Sequence, residues 1–247
     1  MRLDVFLSPR EMSPGAVQGR VVAVIDVLRA STTIAVALSN GARSVIPVES
    51  AEEAMTTAKR FGHGEVMMAG ERRMLPIPGF DAGNSPGDFT PETVSGRTVL
   101  ISTTNGTAAL MALQGARDVV VASYVNHAAA TTMLRLAARS DSDIAIVCAG
   151  NEGHFSLEDA ACAGRYVRSI GRLPSPARND AADACVLIDR KYGDNIAKIF
   201  EDSSHGKALV QAGFGADLVA CAAVDSHPVV PIYQERQITR LGPDRDR

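Results

Sequence analysis

At 247 residues, 46% of them hydrophobic, the chain is long and apolar enough for one large α/β domain or two small subdomains sharing a sheet. Its 25 basic and 28 acidic residues are intermixed and leave a net charge of −3, which excludes the clustered basic face of a nucleic-acid binder and the charge-rich composition of a disordered chain. With no Trp and 4% aromatics, the core falls to Val, Ile, Leu, Ala and Met.

In chain order, Val- and Ile-rich runs alternate with helical patterns. The segment 1–12 has no sustained apolar run, and the run 21–28 is broken by Asp26, so neither reads as a signal peptide or a membrane span. Strands are expected at 21–27, 44–48, 65–69, 98–102, 118–122 and 144–149, with weaker candidates at 218–221 and 229–233. Helices are expected at 32–39, 51–60, 107–113, 128–139 and 157–170. Ser50 and Glu53 fit a capping box, and Gly41 and Gly62 suit helix stops. Continuous apolar strands joined by helical crossovers predict a three-layer α/β/α fold with a largely parallel sheet. The whole chain, 1–247, reads as one domain, with a division into subdomains near 90–100 left open. Two segments interrupt the alternation. One is 70–91, where Pro76, Pro78, Pro86 and Pro91 interleave with Gly79, Gly83 and Gly87; so long a loop is usually functional. The other is 172–176, after which the chain is expected to be mainly helical to about 211. Cys148, Cys162, Cys185 and Cys221 show no CxxC pair or zinc-like spacing and read as reduced thiols of a cytoplasmic protein.

Ligands of parallel α/β sheets bind beyond the carboxyl ends of the strands. Asp26, closing an apolar strand, reads as a metal ligand or a nucleophile, or else as a carboxylate that caps the next helix or pairs with Arg29. Thr103, Thr104, Asn105, Gly106 and Thr107 lie between a strand and a helix, where free N–H groups and a glycine suit an anion, although an ordinary N-cap uses the same residues. In the 70–91 loop, Glu71, Arg72, Arg73, Asp81 and Asn84 offer oxygen ligands beside arginines, as Mg²⁺ bound together with a phosphate requires, whereas Asp88 reads as solvated. The Asp-x-Asp motif of haloacid-dehalogenase enzymes fails at Leu28. A C-x₅-R string, Cys162 to Arg168, falls inside an expected helix rather than a phosphate-cradling loop. Neither GxGxxG nor GxxxxGK[ST] occurs. No histidine receives a firm catalytic role; His154 and His205 lie in glycine-rich stretches and could assist proton transfer, although a lone histidine is more often a surface or packing residue.

Taken together, Asp26–Ile34 (DVLRASTTI), Gly70-Glu71-Arg72, 79–86 (GFDAGNSP), 102–107 (STTNGT), 148–151 (CAGN) with 155–159 (FSLED), and Ser204-His205-Gly206, in this order, resemble the 2-phosphosulfolactate phosphatase family over about 21–233. Ser31 and Ser102 stand where the family pattern leads us to expect Thr, and Arg73-Met74 where it leads us to expect glycine. The resemblance implies an α/β/α fold and a Mg²⁺-dependent phosphatase that converts (R)-2-phospho-3-sulfolactate to 3-sulfolactate and phosphate, on the route to coenzyme M. The family motif positions map to Asp26, Arg29, Glu71, Asp81, Asn84, Thr104, Asn105, Glu158 and Asp159. On this reading Asp26, Glu71 and Asp81 hold Mg²⁺ directly or through water, while Arg29, Arg72 and the 104–107 turn (Thr104, Asn105, Gly106, Thr107) hold the phosphate. Arg73, Asn84, Asn126 and Asn151 supply further substrate contacts. Glu158 is either a general acid or a favourable charge at a helix N-terminus. The nucleophile is a metal-activated water or Asp26 itself. The expected partner is a small anionic phosphorylated molecule, with no nucleic acid or membrane and with a homodimer left open. The rival readings are a phosphatase of another small phosphorylated hydroxy acid and a non-catalytic anion-binding protein.

Overall fold

Continuous apolar runs make strands that are buried on both faces. In the computed structural model, which describes residues 1–171 and 177–242, the strands are β1 (Arg2–Phe6), β2 (Val21–Ile25), β3 (Ser44–Pro47), β4 (Val66–Arg72), β5 (Leu75–Pro76), β6 (Thr98–Ser102), β7 (Asp118–Ala122), β8 (Ile144–Cys148), β9 (Ala177–Arg178), β10 (Pro231–Gln234) and β11 (Gln237–Arg240). The helices are α1 (Ala30–Ser39), α2 (Ala51–Ala58), α3 (Pro91–Val94), α4 (Gly106–Met111), α5 (His127–Arg139), α6 (Leu157–Ile170), α7 (Asp180–Tyr192), α8 (Ile196–Asp202), α9 (Ser204–Gln211) and α10 (Gly215–Ala222). The punctuation expected at 172–176 lies outside the described residues. The weak strand expected at 218–221 is instead part of α10. No strand was expected over Arg2–Phe6, yet β1 pairs in parallel with β8. Its Asp4 is buried and held by Arg2 Nε at 2.7 Å and Arg20 Nη1 at 3.0 Å.

The strands form one largely parallel sheet in the order β5-β4-β6-β3-β11-β10-β7-β2-β8-β1-β9. It contains two parallel blocks, β4-β6-β3 and β7-β2-β8-β1-β9, and the β10–β11 hairpin joins them by antiparallel pairing on both sides. Three successive antiparallel pairings make β3 and β7 run in opposite senses. A flat sheet would therefore place the carboxyl ends of the two blocks on opposite edges. The sheet curls instead, as the handed twist between neighbouring strands favours. One apolar cluster unites Val22, Val24, Val121 and Val147 of the second block with Val45, Met67, Val99 and Ile101 of the first. α1 fills the concave side, with every residue from Ala30 to Leu38 buried.

The other face of the second block is covered by α5, α6 and α7, which close a second core around Tyr124, Tyr166, Leu134 and Ile170. α6 and α7 touch backbone to backbone. A Cβ added at Gly164 would lie 2.0 Å from the Cys185 carbonyl oxygen and 3.0 Å from Asp189 Cβ. Gly164→Ala is therefore expected to destabilise the fold by about 1–3 kcal/mol. Gly87→Ala, where nothing lies within 4 Å, should stay within about 0.5 kcal/mol. Thermal unfolding of the two variants compares them, and equal midpoints would contradict the close helix contact.

Candidate active site

Asp26 follows β2, and its local bonds fix the start of α1. Its N–H donates to Ser31 Oγ at 2.9 Å, and its Oδ1 accepts from the Ala30 N–H at 3.1 Å. The helix-capping role is real, but it occupies only one carboxylate oxygen. The other faces the start of α4: a Cβ at Gly106 would fall 2.9 Å from Asp26 Oδ2 and 2.6 Å from Ala30 Cβ. Gly106 is thus required by the close passage of α4 over Asp26. Burial, reinforced by the nearby charges of Glu71 and Glu158, pushes the Asp26 carboxyl up to about 6, against the opposing pull of His205 and the Ala30 N–H.

Across the cavity, Glu71 near the end of β4 is buried and held by three donors. The Thr104 N–H donates to Oε1 at 2.7 Å, and Thr104 Oγ1 (3.1 Å) and the Met74 N–H (2.9 Å) donate to Oε2. The turn expected to bind a free anion therefore already holds one, the protein's own carboxylate. Thr103 and Thr107 close the turn on itself, each N–H donating to the other's hydroxyl at 3.0 and 3.1 Å. Asp26, Arg29, Glu71, Arg73, Asn84, Thr104, Asn105 and Asn151 line one cavity of about 350 Å³, together with Leu28, Met74, Thr103, Glu152, His205 and Ala208. The carboxyl ends of β2, β4, β6 and β8 all reach it.

Arg29 is buried, stacked 4.4 Å from the Phe214 ring centroid. It donates to Asp217 Oδ2 at 2.6 Å, to Ser85 Oγ at 3.2 Å and to the Met74 carbonyl at 3.0 Å. Those bonds use three of its five N–H groups and aim a fixed cation at the cavity. Asn84 is 4% exposed, and its Oδ1 is buried without any hydrogen-bond partner. An orphaned oxygen at a polar cavity wall is the kind of atom that a ligand or cation satisfies. Arg73 and Met74 form the tight turn between β4 and β5, both in the left-handed region at φ 51° and 71°. Two positive-φ residues are what such a turn demands, which accounts physically for the glycine expected there.

Several expected site residues stand elsewhere. Asp81 is exposed and is not among the residues that line this cavity; its Oδ2 accepts from the Met68 N–H at 2.8 Å, so it serves the edge of β4 rather than a centre with Asp26 and Glu71. Asn126 is fully buried and spent on backbone, with its Oδ1 on the Ser123 N–H and its Nδ2 on the Val121 and Val229 carbonyls. Arg72 turns to the Glu71 and Glu49 carbonyls and Ser102 Oγ, and with Thr107 lines a neighbouring cleft. Among the described residues, no group of three or more His, Cys, Asp and Glu side chains is arranged to hold a metal. The Cys162–Arg168 string lies in α6, where the thiol is fully buried and pushed well up by that burial while Arg168 pairs with Asp189. That thiol is no nucleophile.

Glu158, in the first turn of α6, is 1% exposed and sits behind His205, with Glu158 Oε1 and His205 Nδ1 3.2 Å apart. The next residue, Asp159, ties two strand ends together by accepting from the Val27 N–H at 2.9 Å and the Gly150 N–H at 3.1 Å. Sequence reasoning gave His205 no firm role, only that it could assist proton transfer, and gave none to Asp217 or Glu152. Asp217 lay just before the segment 218–221 expected as a strand, whereas His205 carried a usable signal in Ser204-His205-Gly206.

A curled α/β sheet whose strand ends converge on buried carboxylates and a fixed arginine defines a protein built to take a small anion. The sequence profile of the 2-phosphosulpholactate phosphatases matches residues 6–236, and the chain belongs to that family. A relative from Symbiobacterium thermophilum, named "Probable 2-phosphosulfolactate phosphatase", is 41% identical over 224 residues, 90% of this chain and 95% of its own. Relatives of the same name from Thermotoga petrophila (39% identical; 93% of this chain, 94% of theirs) and Caldanaerobacter subterraneus (38% identical; 94% and 95%) match over similar spans.

The buried charge on Asp26 has a measurable stability cost. A rise from 3.8 to about 6 corresponds to about 3 kcal/mol lost at neutral pH. The folded state binds the proton more tightly than the unfolded one, so the loss is full above about 6 and fades as pH falls towards 3.8. Asp26→Asn in metal-free buffer is expected to raise the thermal midpoint at pH 7.5 by several degrees, with most of the gain gone at pH 4. A gain that is constant with pH would assign it to something other than this charge.

Proposed function

We propose that the chain is a phosphate monoester hydrolase acting on 2-phosphosulfolactate, releasing sulfolactate and inorganic phosphate with the help of Mg²⁺. The observation that carries the reading is a single cavity lined by two buried carboxylates, Asp26 and Glu71, the fixed cation Arg29, and Asn84, whose Oδ1 is buried without a partner. An anionic substrate entering beside two carboxylates needs a counter-charge. Asp26, Glu71 and Asn84 offer an all-oxygen donor set of the kind Mg²⁺ prefers, with the remaining positions left to water and phosphate, and Asn84 takes the place expected for Asp81. Mg²⁺ bound there would offset the carboxylate charge and polarise a phosphoryl oxygen.

The protein's own groups do the rest by positioning. Arg29 keeps two N–H groups free of the bonds to Asp217, Ser85 and Met74 and directs them at phosphate oxygens. Arg73, exposed at the cavity rim and held by its left-handed backbone, presents a second cation to the sulfonate or carboxylate at the other end of the substrate. Anion binding alone gives no reason to bury Asp26 beside Glu71, which makes the non-catalytic reading the weaker one.

Phosphate release from 2-phosphosulfolactate is expected to cease in excess chelator and return with Mg²⁺. Asn84→Leu is expected to raise the Mg²⁺ concentration for half-activation by about tenfold or more. Arg73→Ala is expected to lower kcat/KM for the sulfonated ester by about tenfold and to leave phospholactate little changed. Full turnover in chelator would remove the metal from the reading, and no phosphate release from either ester would remove the phosphatase.

A further inference from the structure

Alkyl phosphates such as the one proposed above have a poor leaving group, because the departing alcohol oxygen is strongly basic until it receives a proton. Glu158 is badly placed to give that proton. It is 1% exposed, does not line the 350 Å³ cavity, and turns one carboxylate oxygen to His205 Nδ1. His205 does line the cavity, beside Asp26 and Arg29. With Nδ1 committed to Glu158, the ring's other nitrogen, Nε2, is the one left for a ligand.

The local structure fixes this arrangement. His205 sits in the first turn of α9, capped by Ser203, whose Oγ accepts from the Gly206 N–H at 2.9 Å. A Cβ at Gly206 would fall 2.1 Å from the Phe200 carbonyl oxygen, so only glycine lets the start of α9 close onto α8 at this point. On the other side Ser156 caps α6, its Oγ accepting from the Asp159 N–H, and sets Glu158 in the first turn. Two capped helix starts therefore hold the histidine and the carboxylate against each other.

We infer that His205, oriented by Glu158, donates the proton to the leaving alcohol, with Glu158 acting as a positioning residue rather than as the acid. The inference rests on the phosphatase reading and adds the proton donor to it. The ester P–O bond breaks with its electron pair remaining on the alcohol oxygen, which takes the proton from His205 Nε2. The new P–O bond comes from a water oxygen, and the proton that this water releases restores His205 through solvent. The charged and titratable groups around the ring are Glu158 from α6, Asp26 and Arg29 beside α1, Glu71, Arg73 and Glu152 in the shared cavity, and Asp202 at the end of α8. Burial lowers the histidine's pKa, but the hydrogen bond and charge of Glu158 and the charge of Asp26 outweigh it, so the net direction is upward, towards the protonated form that a donor requires.

The test compares esters that do and do not need the proton. With His205→Asn and His205→Gln, kcat for 2-phosphosulfolactate is expected to fall by about 10²–10⁴-fold. For 4-nitrophenyl phosphate, whose leaving group departs without protonation, the fall should be under about tenfold, which also verifies that the variants fold and bind phosphate. Glu158→Gln should move the basic limb of the kcat profile to lower pH, since loss of the carboxylate charge lowers the histidine pKa and the protonated donor is lost earlier as pH rises. Equal losses on both esters in an otherwise active protein would overturn the assignment of His205, and an unmoved limb in Glu158→Gln would overturn the positioning role. A wild-type protein that hydrolyses neither ester would instead overturn the phosphatase reading beneath both.

Discussion

Everything in this molecule depends on how two oppositely directed parallel blocks are made into one sheet. The β10–β11 hairpin satisfies the open edges of β7 and β3 with antiparallel pairing on both sides. An unpaired strand edge inside a core would strand a row of backbone donors and acceptors. Once the hairpin is in place the sheet must curl, because its two concave faces share a single apolar cluster and enclose α1. The curl brings the ends of β2 and β8 to those of β4 and β6, which a flat sheet of this topology would hold apart.

That geometry also explains why so much charge is buried at one place. Asp26, Glu71, Glu158 and Asp159 are each under a tenth exposed, and they come from three places, the end of β2, the end of β4 and the start of α6, that the curl brings together. They survive burial by different means. Glu71 is satisfied by three donors from the turn after β6 and the β4–β5 hairpin, Asp159 by two backbone amides, and Glu158 by a histidine. Among the described residues the Asp26 carboxylate has a single hydrogen bond, from the Ala30 N–H, and burial pushes it upward while it lines the cavity. Such a group is stabilised by little except what enters the site, as expected where function is set against stability.

Much of the fold was legible because buried strands need apolar runs, which β2 and β8 have throughout and β6 and β7 have at their centres. What escaped had physical reasons. β1 carries Asp4, whose buried charge is offset by Arg2 and by Arg20, the latter distant in sequence. α10 contains the run Leu218-Val219-Ala220-Cys221, too short for periodicity to separate helix from strand. Both hairpin turns, Arg73-Met74 and Glu235-Arg236, place ordinary residues at positive φ where Asn-Gly would have announced them. At the site, residues adjoining strand ends were found directly: Asp26, Arg29, Glu71, Thr104, Asn105 and Asn151. Asn126 also follows a strand end and Asp81 lies in the loop after β5, but both side chains are taken up by backbone groups around them, and sequence does not reveal whether a polar side chain is already spent. Asp217 and His205 come from the helical segment after β9, which no strand-end argument reaches.

The hairpin's place in the chain has a consequence for assembly. Every strand it joins precedes it in sequence, so a chain emerging from the ribosome presents both parallel blocks, with their inner edges open, before the segment that pairs with them exists. Ile238 must find Val45, nearly two hundred positions earlier, and such distant pairings form slowly because the chain's entropy opposes them until contact is made. During that interval β3 and β7 are exposed templates for another nascent strand. The newborn chain is therefore at its most sticky just before the hairpin emerges, and it is there that a holding chaperone has something to grip.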